Sequence, residues 1–573
     1  MDNQRLVIWA VFGLLAWMTY QAWQQDYAPA PQPAVAAPAT TANNGDADSD
    51  PGLPELGPDA GDGVSAVDAP DLAPDPNNTV NGHVLTTADS VVVRTDVLSM
   101  TISTQGGTLT GADLLLYPVA KDRPDDVIDL LRTDPERLSL IQSGLRSSSD
   151  EADANHLAMF SSERSAYDLG DADEVAVTLH WSNDSGISVT KTYRFRRGSY
   201  IVGLEQTILN NSEQPWRGAE YAQQHRYLQD PERSMFDVDS YSFDGPILYD
   251  GEKAEKRTRD DLLDDGPHNF SSESGWFAAI RHHFVTAVVP ERGSTQRYSV
   301  VLRGKNETSS AIGAPRTVEP GTSHTFKTTL FVGPKLQAQL EQIDKKLKLV
   351  VDYGWLTPIS QPLFWLLSLA YGVVANWGGS IILITILIKL VFYKLTESSG
   401  RSMAKMRNLQ PRIKALQERY KDDKQAQSQA MMEMYKTEKV NPAAGCLPIL
   451  IQMPFFLAFY WVLLESVEMR QAPFALWITD LSVRDPLFIL PLIMGAAMFF
   501  QQKLNPQVGD PIQIKVMQIM PIIFTAFFAF FPSGLVLYWV TNTLLSIAQQ
   551  WKINKVVEAE SKQQKSGKRT TKA

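Results

Sequence analysis

The apolar residues of this chain are gathered in separate blocks, and these blocks limit what it can fold into more than any other feature. One block, residues 6–23, follows a short MDNQR head, and the remaining blocks lie after residue 350. Apolar helical segments of this kind are typical of membrane spans. The sequence therefore predicts a multi-domain membrane protein with an N-terminal anchor (1–25) and a C-terminal helical bundle.

The distribution of charge predicts the topology. No Lys or Arg occurs from Leu6 to Val93, whereas residues 394–440 contain eleven Lys/Arg against six Asp/Glu, and the tail from Lys552 contains seven against two. Because short basic loops stay in the cytoplasm, both basic segments are expected to be cytoplasmic. A cleaved signal peptide, cut near residues 28–30, is the alternative interpretation of the first block.

Alternating the apolar segments across the membrane gives six spans with both termini inside. After the anchor, the predicted spans are 376–395, 446–464, 486–501, 516–531 and 534–551. Residues 336–375 are expected to form amphipathic or interfacial helices, because the apolar part of this region, 363–375, is too short to span. Residues 396–442 are predicted to form a cytoplasmic helical hairpin, residues 465–485 an outer loop, and residues 552–573 a basic cytoplasmic tail.

Two regions between the anchor and the bundle differ in composition. Residues 26–78 are rich in Ala, Pro, Asp and Gly, which predicts a disordered acidic spacer. Residues 79–335 contain short β-branched or alternating runs such as VAVTLHWSN and HTFKTTLFVG, separated by turn residues. Many strands without alternating helices favour a large antiparallel β-sandwich.

Motifs of known chemistry do not occur in the sequence. It contains no H-E-x-x-H, no G-x-S-x-G and no P-loop, and Cys446 is its single cysteine. His282 and His283 are adjacent, and adjacent residues of a strand face opposite sides, so we expect one core and one surface histidine rather than a chelating pair. The sequence predicts no catalytic residue, no metal site and no cofactor, although a carbohydrate site in the sandwich stays open.

One span contains a cation. Lys389 lies within the apolar run IILITILIKLVFYKL, where a charge costs about 2.5–3.5 kcal/mol. Thr385 precedes it by one turn on the same helix face, and Gln452 and Asn542 are polar residues of other spans. This pattern favours a polar, water-filled groove that faces the cytoplasm. Snorkelling of Lys389 and ordinary interhelical hydrogen bonds of Gln452 and Asn542 are the alternatives.

Several long stretches resemble a known family. MAKMRNLQPRIKAL, KVNPAAGCLPILIQMPFFLAFY, VEMRQAPFALWITDLS and FFPSGLVLYW are similar to the YidC membrane-protein insertases of Gram-negative bacteria, within the wider YidC/Oxa/Alb family, over residues 355–550. SGWFAAIRHHF resembles part of that family's periplasmic β-supersandwich. The resemblance implies an inner-membrane insertase and chaperone that works without nucleotide, alone or beside the Sec translocon (SecYEG and SecDF). Its partners would be nascent integral membrane proteins, membrane lipids, and the ribosome and signal-recognition pathway, the last two through the hairpin and the tail.

The resemblance also implies roles for individual residues. Lys389 occupies the position of a positive residue that lines a hydrophilic groove, where many relatives have Arg; Lys keeps the charge but loses the bidentate fork. The client helix would slide along the third and fifth spans, over Met453, Phe455, Phe456, Phe459, Phe524, Phe527 and Phe528. A secondary transporter with Lys389 as substrate counter-ion, and a membrane-anchored carbohydrate-binding or carbohydrate-processing sandwich, are the alternative functions.

Overall fold

The computed structural model describes residues 90–570 except 149–152, 230–241, 352, 422, 439–446 and 505–510. The predicted anchor, the spacer and Cys446 lie outside the described residues. Two structural regions follow one another along the described chain. Strands occupy residues 90–334, and helices dominate from residue 337 onward.

The first region contains twenty strands within the described residues. They are β1 (Ser90–Arg94), β2 (Leu98–Ser103), β3 (Leu109–Ala120), β4 (Arg123–Leu131), β5 (Ser139–Ser147), β6 (Ser161–Ser162), β7 (Ala166–Asp168), β8 (Glu174–Ser182), β9 (Ile187–Arg196), β10 (Ile201–Asn210), β11 (Trp216–Tyr227), β12 (Asp244–Tyr249), β13 (Ala254–Lys256), β14 (His268–Ser272), β15 (Trp276–Arg281), β16 (Phe284–Pro290), β17 (Gln296–Arg303), β18 (Asn306–Ile312), β19 (Arg316–Val318) and β20 (Ser323–Pro334).

These strands form two sheets. An 11-stranded sheet has the order β14-β17-β18-β11-β5-β3-β2-β1-β7, with β19 paired to β11 and β4 to β3. A 9-stranded sheet has the order β13-β12-β15-β16-β20-β10-β9-β8-β6. The prediction of a large β-sandwich is confirmed. The antiparallel prediction has one exception, because β1 and β7 pair in parallel with Val92 opposite Ala166.

Alternation of burial explains why these sequences form strands. Along β9 every second residue is buried, including Tyr193 and Phe195, while Arg194 lies on the opposite face and pairs with Glu174 and Glu205. A strand that is apolar on one face and charged on the other must cover its apolar face with a second layer. The two sheets therefore enclose one core.

The helices, numbered in chain order, are α1 (Arg259–Asp264), α2 (Gln337–Ile343), α3 (Thr357–Val374), α4 (Trp377–Val391), α5 (Tyr393–Arg419), α6 (Lys424–Thr437), α7 (Leu447–Glu465), α8 (Ile489–Leu504), α9 (Pro511–Phe528) and α10 (Ser533–Thr570). Helix α3 packs against α4 and α7, α8 packs against α9 and α10, and α10 also packs against α4 and α5.

Several helix bounds differ from the expected spans. Helices α8 (Ile489–Leu504) and α9 (Pro511–Phe528) are displaced by three to five residues from the predicted 486–501 and 516–531. The predicted span 376–395 is interrupted at Phe392, where α4 ends and α5 begins. The last helix continues to Thr570, so the predicted tail prolongs the predicted final span. Within the described residues, no single helix has both the length and the apolar content needed to cross a membrane; only Trp377–Val391 taken with Tyr393–Met406 does, and this pair is bent by 67°.

Helices α5 and α6 pack against each other as a hairpin. Met406, Leu409 and Ile413 of α5 are buried against Tyr435 of α6. Asp423 caps α6, since its carboxylate accepts the backbone N–H groups of residues 425 and 426. The small shared core and the cap explain why the chain reverses here.

The two histidines occupy a different setting from the one expected. They form the turn between β15 and β16, where His282 has a left-handed backbone with φ of 47°. Their rings stack at 3.7 Å instead of facing opposite sides, because the strand alternation ends at Arg281. His283 is buried and His282 is half-buried.

Candidate functional site

Lys389 lies in the last turn of α4 and reaches across to α10. Its Nζ donates a hydrogen bond to Ser546 Oγ at 2.8 Å, and Ser546 Oγ donates to the carbonyl oxygen of Asn542 at 2.7 Å. Residues 542 and 546 are one turn apart, so they share a face of α10. The structure thus links Lys389, through Ser546, to the backbone carbonyl of Asn542 rather than to its amide side chain. Ser546 is a residue that the sequence analysis did not identify.

The charge of Lys389 has a hydroxyl partner rather than a carboxylate. Helices α4, α8 and α9, and residues 533–551 of α10, contain no Asp or Glu. The one acidic residue of α7, Glu465, stands at the end of that helix and pairs with Lys335. A hydroxyl partner orients the ammonium group without neutralising its positive charge.

The other two predicted polar residues lie apart from this contact. Thr385 is 1% exposed and donates its hydroxyl hydrogen bond to the carbonyl of Ile381 in its own helix at 2.6 Å. Gln452, on α7, is half-buried, and among the described residues its Nε2 has no hydrogen-bond partner. Gln452 therefore has an unused donor, whereas the hydroxyl of Thr385 is satisfied locally.

The seven apolar residues predicted to contact a client have different exposures. Phe459 and Phe528 are buried in the core, whereas Met453 is 45% exposed and Phe527 is 53% exposed. The remaining three, Phe455, Phe456 and Phe524, are half-buried. Further exposed apolar side chains on α9 were not predicted; they are Val516, Met517, Ile519, Ile522 and Ile523.

A second set of contacts joins the sandwich to α7. Lys335, which follows β20, forms an ion pair of 2.9 Å with Glu465, and both side chains are buried. His283 Nε2 donates to the carbonyl oxygen of Leu464 at 3.0 Å. Because burial lowers the pKa of His283 well below its usual value, this histidine is neutral and serves as a structural donor.

The turn that follows α7 contains Glu468, a glutamate with a raised pKa. Burial raises the pKa of Glu468 to about 7, and Lys335 opposes that shift. Glu468 in turn acts on Tyr117 of β3, whose pKa burial and this carboxyl raise to about 12. The charge of Glu468 therefore changes with pH near neutrality, whereas Tyr117 stays protonated.

Comparison with known proteins identifies the family. Residues 90–366 match the family described as YidC periplasmic domain, and residues 369–561 match the 60Kd inner membrane protein family. A protein of Thioalkalivibrio sulfidiphilus called "Membrane protein insertase YidC" is 47% identical over 98% of this chain and 100% of its own length. The chain belongs to the YidC family of membrane protein insertases.

A second relative supports the same assignment, and one solved structure is also similar. The YidC insertase of Nitrosococcus oceani is 44% identical over 98% of this chain and 100% of its own length. A crystal structure described as an active YidC insertase with the first transmembrane domain resolved is 20% identical, covers 80% of this chain and 92% of its own, and has a TM-score of 0.38.

Membership in the YidC family decides among the functions that the sequence left open. The chain is a membrane insertase, and its relatives are named insertases rather than enzymes. The name of the matching family places such proteins in the inner membrane.

Proposed function

We propose that Lys389 acts as a transient counter-charge for an acidic segment of a client, a newly made membrane protein, while the client's apolar helix enters the lipid. The observation that carries this proposal is the contact of Lys389 with Ser546, a neutral partner that leaves the positive charge unneutralised. A client carboxylate entering this region would gain charge attraction that the packed helices do not themselves supply. No covalent step, nucleotide, metal or cofactor is needed.

The apolar helix of the client would travel over α7 and α9. Met453 and Phe527 are exposed on these helices, and Ile522 of α9 is 71% exposed. Flexible and aromatic side chains suit a surface that accepts many apolar sequences. Phe459 and Phe528 are left out of this surface because they are buried. Transfer of the client into lipid, at about 25 cal/mol per Å² of apolar area, supplies the driving force.

The proposed topology keeps six spans with the sandwich in the periplasm and both termini in the cytoplasm. The basic content of residues 394–440 supports a cytoplasmic hairpin. The same positive charge makes this hairpin and the basic end of α10 suitable for the ribosome and the signal-recognition pathway. We also propose that the insertase works beside the Sec translocon.

The test compares variants of Lys389 with clients of different charge. In cells depleted of the native insertase, Lys389→Ala is expected to reduce insertion of clients with acidic translocated tails about tenfold, with neutral-tailed clients affected less. Lys389→Glu is expected to be worse for acidic tails, because like charges repel strongly in a site of low dielectric constant. Insertion is measured by protease protection of the translocated tail at matched protein levels.

A nearby lysine provides the control. Lys394, in the first turn of α5, is exposed, so Lys394→Ala removes one positive charge without reaching the proposed groove. It is expected to leave the preference for client charge unchanged. If the Ala and Glu variants of Lys389 insert acidic and neutral clients equally well, the counter-charge proposal is wrong.

A further inference from the structure

A cleft of about 550 Å³ lies where the sandwich meets the segment between α7 and α8, away from Lys389. One wall is formed by the β3–β4 turn and the β15–β16 turn, including Lys121 and Arg281. The opposite wall is formed by residues between 470 and 486. The cleft therefore has walls from two regions that are distant in sequence.

Hydrogen bonds between the two walls fix the shape of the cleft. Arg470 Nη2 donates to the carbonyl of Pro118 at 2.9 Å, and Gln471 Nε2 donates to the same oxygen at 2.8 Å. From the other side, Lys121 Nζ donates to the carbonyl of Thr479 at 2.7 Å. A cleft preformed in this way loses little conformational entropy when a ligand binds.

The lining of the cleft has an excess of positive charge. Four Lys/Arg side chains line it, namely Lys121, Arg281, Arg470 and Arg484. The one acidic residue of the lining is Asp480, whose carboxylate accepts the backbone N–H and the hydroxyl of Ser482. The neighbouring Asp485 is 1% exposed and accepts the indole N–H of Trp477, so it faces away from the cleft.

Backbone carbonyls and an aromatic ring help to position three of these cations. Lys121 and Arg281 donate to backbone carbonyls, those of Thr479 and Asp129. Arg470 also donates to carbonyls and lies over the ring of Phe284, with 5.5 Å between the guanidinium carbon and the ring centroid. A carbonyl or an aromatic face orients a cation and leaves its formal charge intact. The chemistry of the cleft therefore suits an anion with several oxygen acceptors.

Exposed apolar side chains lie at the edge of the cleft. Val483, which lines it, is 47% exposed, and Leu487 and Phe488 are 55% and 42% exposed just beyond it. Leu492, in the first turn of α8, continues this strip with 62% exposure. A ligand with a phosphate head and an apolar tail would contact both the cationic cleft and the strip, whereas free phosphate would use only the cleft.

We propose that this cleft binds the phosphate of an anionic phospholipid of the outer leaflet, with the acyl chains lying along the strip from Val483 to Leu492. The leaflet assignment rests on the topology proposed above. Bound lipid would tie the sandwich, the loop after α7 and the membrane surface together at one point. This site is separate from Lys389 and has no role in the counter-charge step.

The test measures lipid binding by the full-length protein in detergent, using native mass spectrometry with phosphatidylglycerol as the probe. The double variant Arg281→Gln/Arg484→Gln is expected to bind phosphatidylglycerol about tenfold more weakly, since charge-assisted hydrogen bonds to phosphate are lost. Arg303→Gln, at an exposed arginine outside the cleft, is the matched control and should bind as the wild type does. The double variant Arg281→Lys/Arg484→Lys, which keeps both positive charges, should retain binding.

Other outcomes overturn the proposal. Equal binding of phosphatidylglycerol by the wild type and the double Gln variant shows that the cleft is not the site. If inorganic phosphate displaces the lipid completely at millimolar concentration, the cleft is a free-phosphate site and the lipid assignment is wrong. Should Arg281→Gln impair folding, Arg484→Gln alone, at an exposed loop residue, gives the same comparison.

Client insertion is measured in parallel, so that the two proposals fail separately. If the double Gln variant binds lipid weakly but still selects clients by charge as the wild type does, the lipid-site proposal is supported and the Lys389 proposal is unaffected. If the double Gln variant binds lipid normally, the lipid-site proposal alone is wrong, whatever the insertion activity of the variant.

Discussion

Lys335 and Glu465 form an ion pair of 2.9 Å at a position where their side chains are only 1% and 10% exposed. Lys335 follows the last strand of the sandwich, and Glu465 ends α7. The pair therefore connects the sandwich to a helix that the proposal assigns to client contact. Burial makes both charges depend on each other, because neither has water to replace its partner.

Removing one partner of this pair is expected to destabilise the protein. Glu465→Gln leaves Lys335 buried without its carboxylate, which costs about 3–5 kcal/mol in comparable cases. Thermal unfolding of the purified protein in detergent measures the effect. The exposed pair between Lys348 and Glu341 supplies the control, and Lys348→Met should cost about 1 kcal/mol or less.

A double variant separates charge loss from packing loss. Lys335→Met combined with Glu465→Leu removes both charges, so its loss of stability should be smaller than the sum of the two single losses. Additive losses would contradict the ion pair as the source of the effect.

A buried carboxyl in the sandwich predicts a dependence of stability on pH. Burial, followed by the nearby charge of Glu291, raises the pKa of Glu220 to about 8. Between the unfolded pKa of 4.5 and about 8 the folded state binds more protons, so stability should fall as pH rises through this window. Glu220→Gln mimics the protonated form, and its stability relative to the wild type should increase from pH 5 to about 8.

Chemical denaturation of the full-length protein, followed by the β-sheet signal in circular dichroism, measures this difference. Glu213→Gln, at an exposed glutamate, is the control and should keep the wild-type slope. A Glu220→Gln variant whose slope equals that of the wild type would show that Glu220 is ionised in the folded protein.

A buried lysine predicts the opposite slope at higher pH. Lys191 is fully buried between the sheets, where its Nζ donates to the carbonyls of Gly106 and Ser143, and burial lowers its pKa to about 7. Between about 7 and the unfolded pKa of 10.5 the unfolded state binds more protons, so stability should rise with pH.

Lys191→Met should abolish this rise, although it also lowers stability at every pH by leaving two carbonyls without a donor. The same denaturation measurements between pH 7 and 10 test it, with exposed Lys305→Met as the control. A rise that persists in Lys191→Met would have to come from another group.

The sandwich was predictable because its signal is local. Alternation of apolar residues along β9 identifies Tyr193 and Phe195 as inward-facing. The same alternation places Lys191 on the inner face, so its burial could have been read from the sequence. The stacking of His282 on His283 could not, because it depends on where the hairpin turns rather than on the strand pattern.

The helical region was less predictable at its boundaries and at its contacts. No Pro or Gly marks the break at Phe392, and the apolar run continues through it, so sequence predicts one straight span. The pairing of Lys389 with Ser546 depends on how α4 and α10 are rotated against each other, which no local pattern encodes. The pair Lys335–Glu465 joins residues 130 positions apart and is unpredictable for the same reason.

Ser546 offers a way to neutralise Lys389 without replacing it. Ser546→Asp would place a carboxylate where the hydroxyl now accepts the Nζ hydrogen bond at 2.8 Å. An ion pair formed in this partly buried place would compete with the carboxylate of a client. Ser546→Asp is therefore expected to reduce insertion of acidic-tailed clients about as much as Lys389→Ala does, and to leave neutral-tailed clients less affected.

Ser546→Asn is the matched control, since it has the shape of Asp and accepts a hydrogen bond without a negative charge. It should retain insertion of both client classes, as should Lys389→Arg, which keeps the charge. Protease protection of the translocated tail, at matched protein levels, measures all of these variants. Equal loss in the Asp and Asn variants would mean that Ser546 is needed for packing, and full activity of the Asp variant with acidic clients would show that the unneutralised charge of Lys389 is not what attracts them.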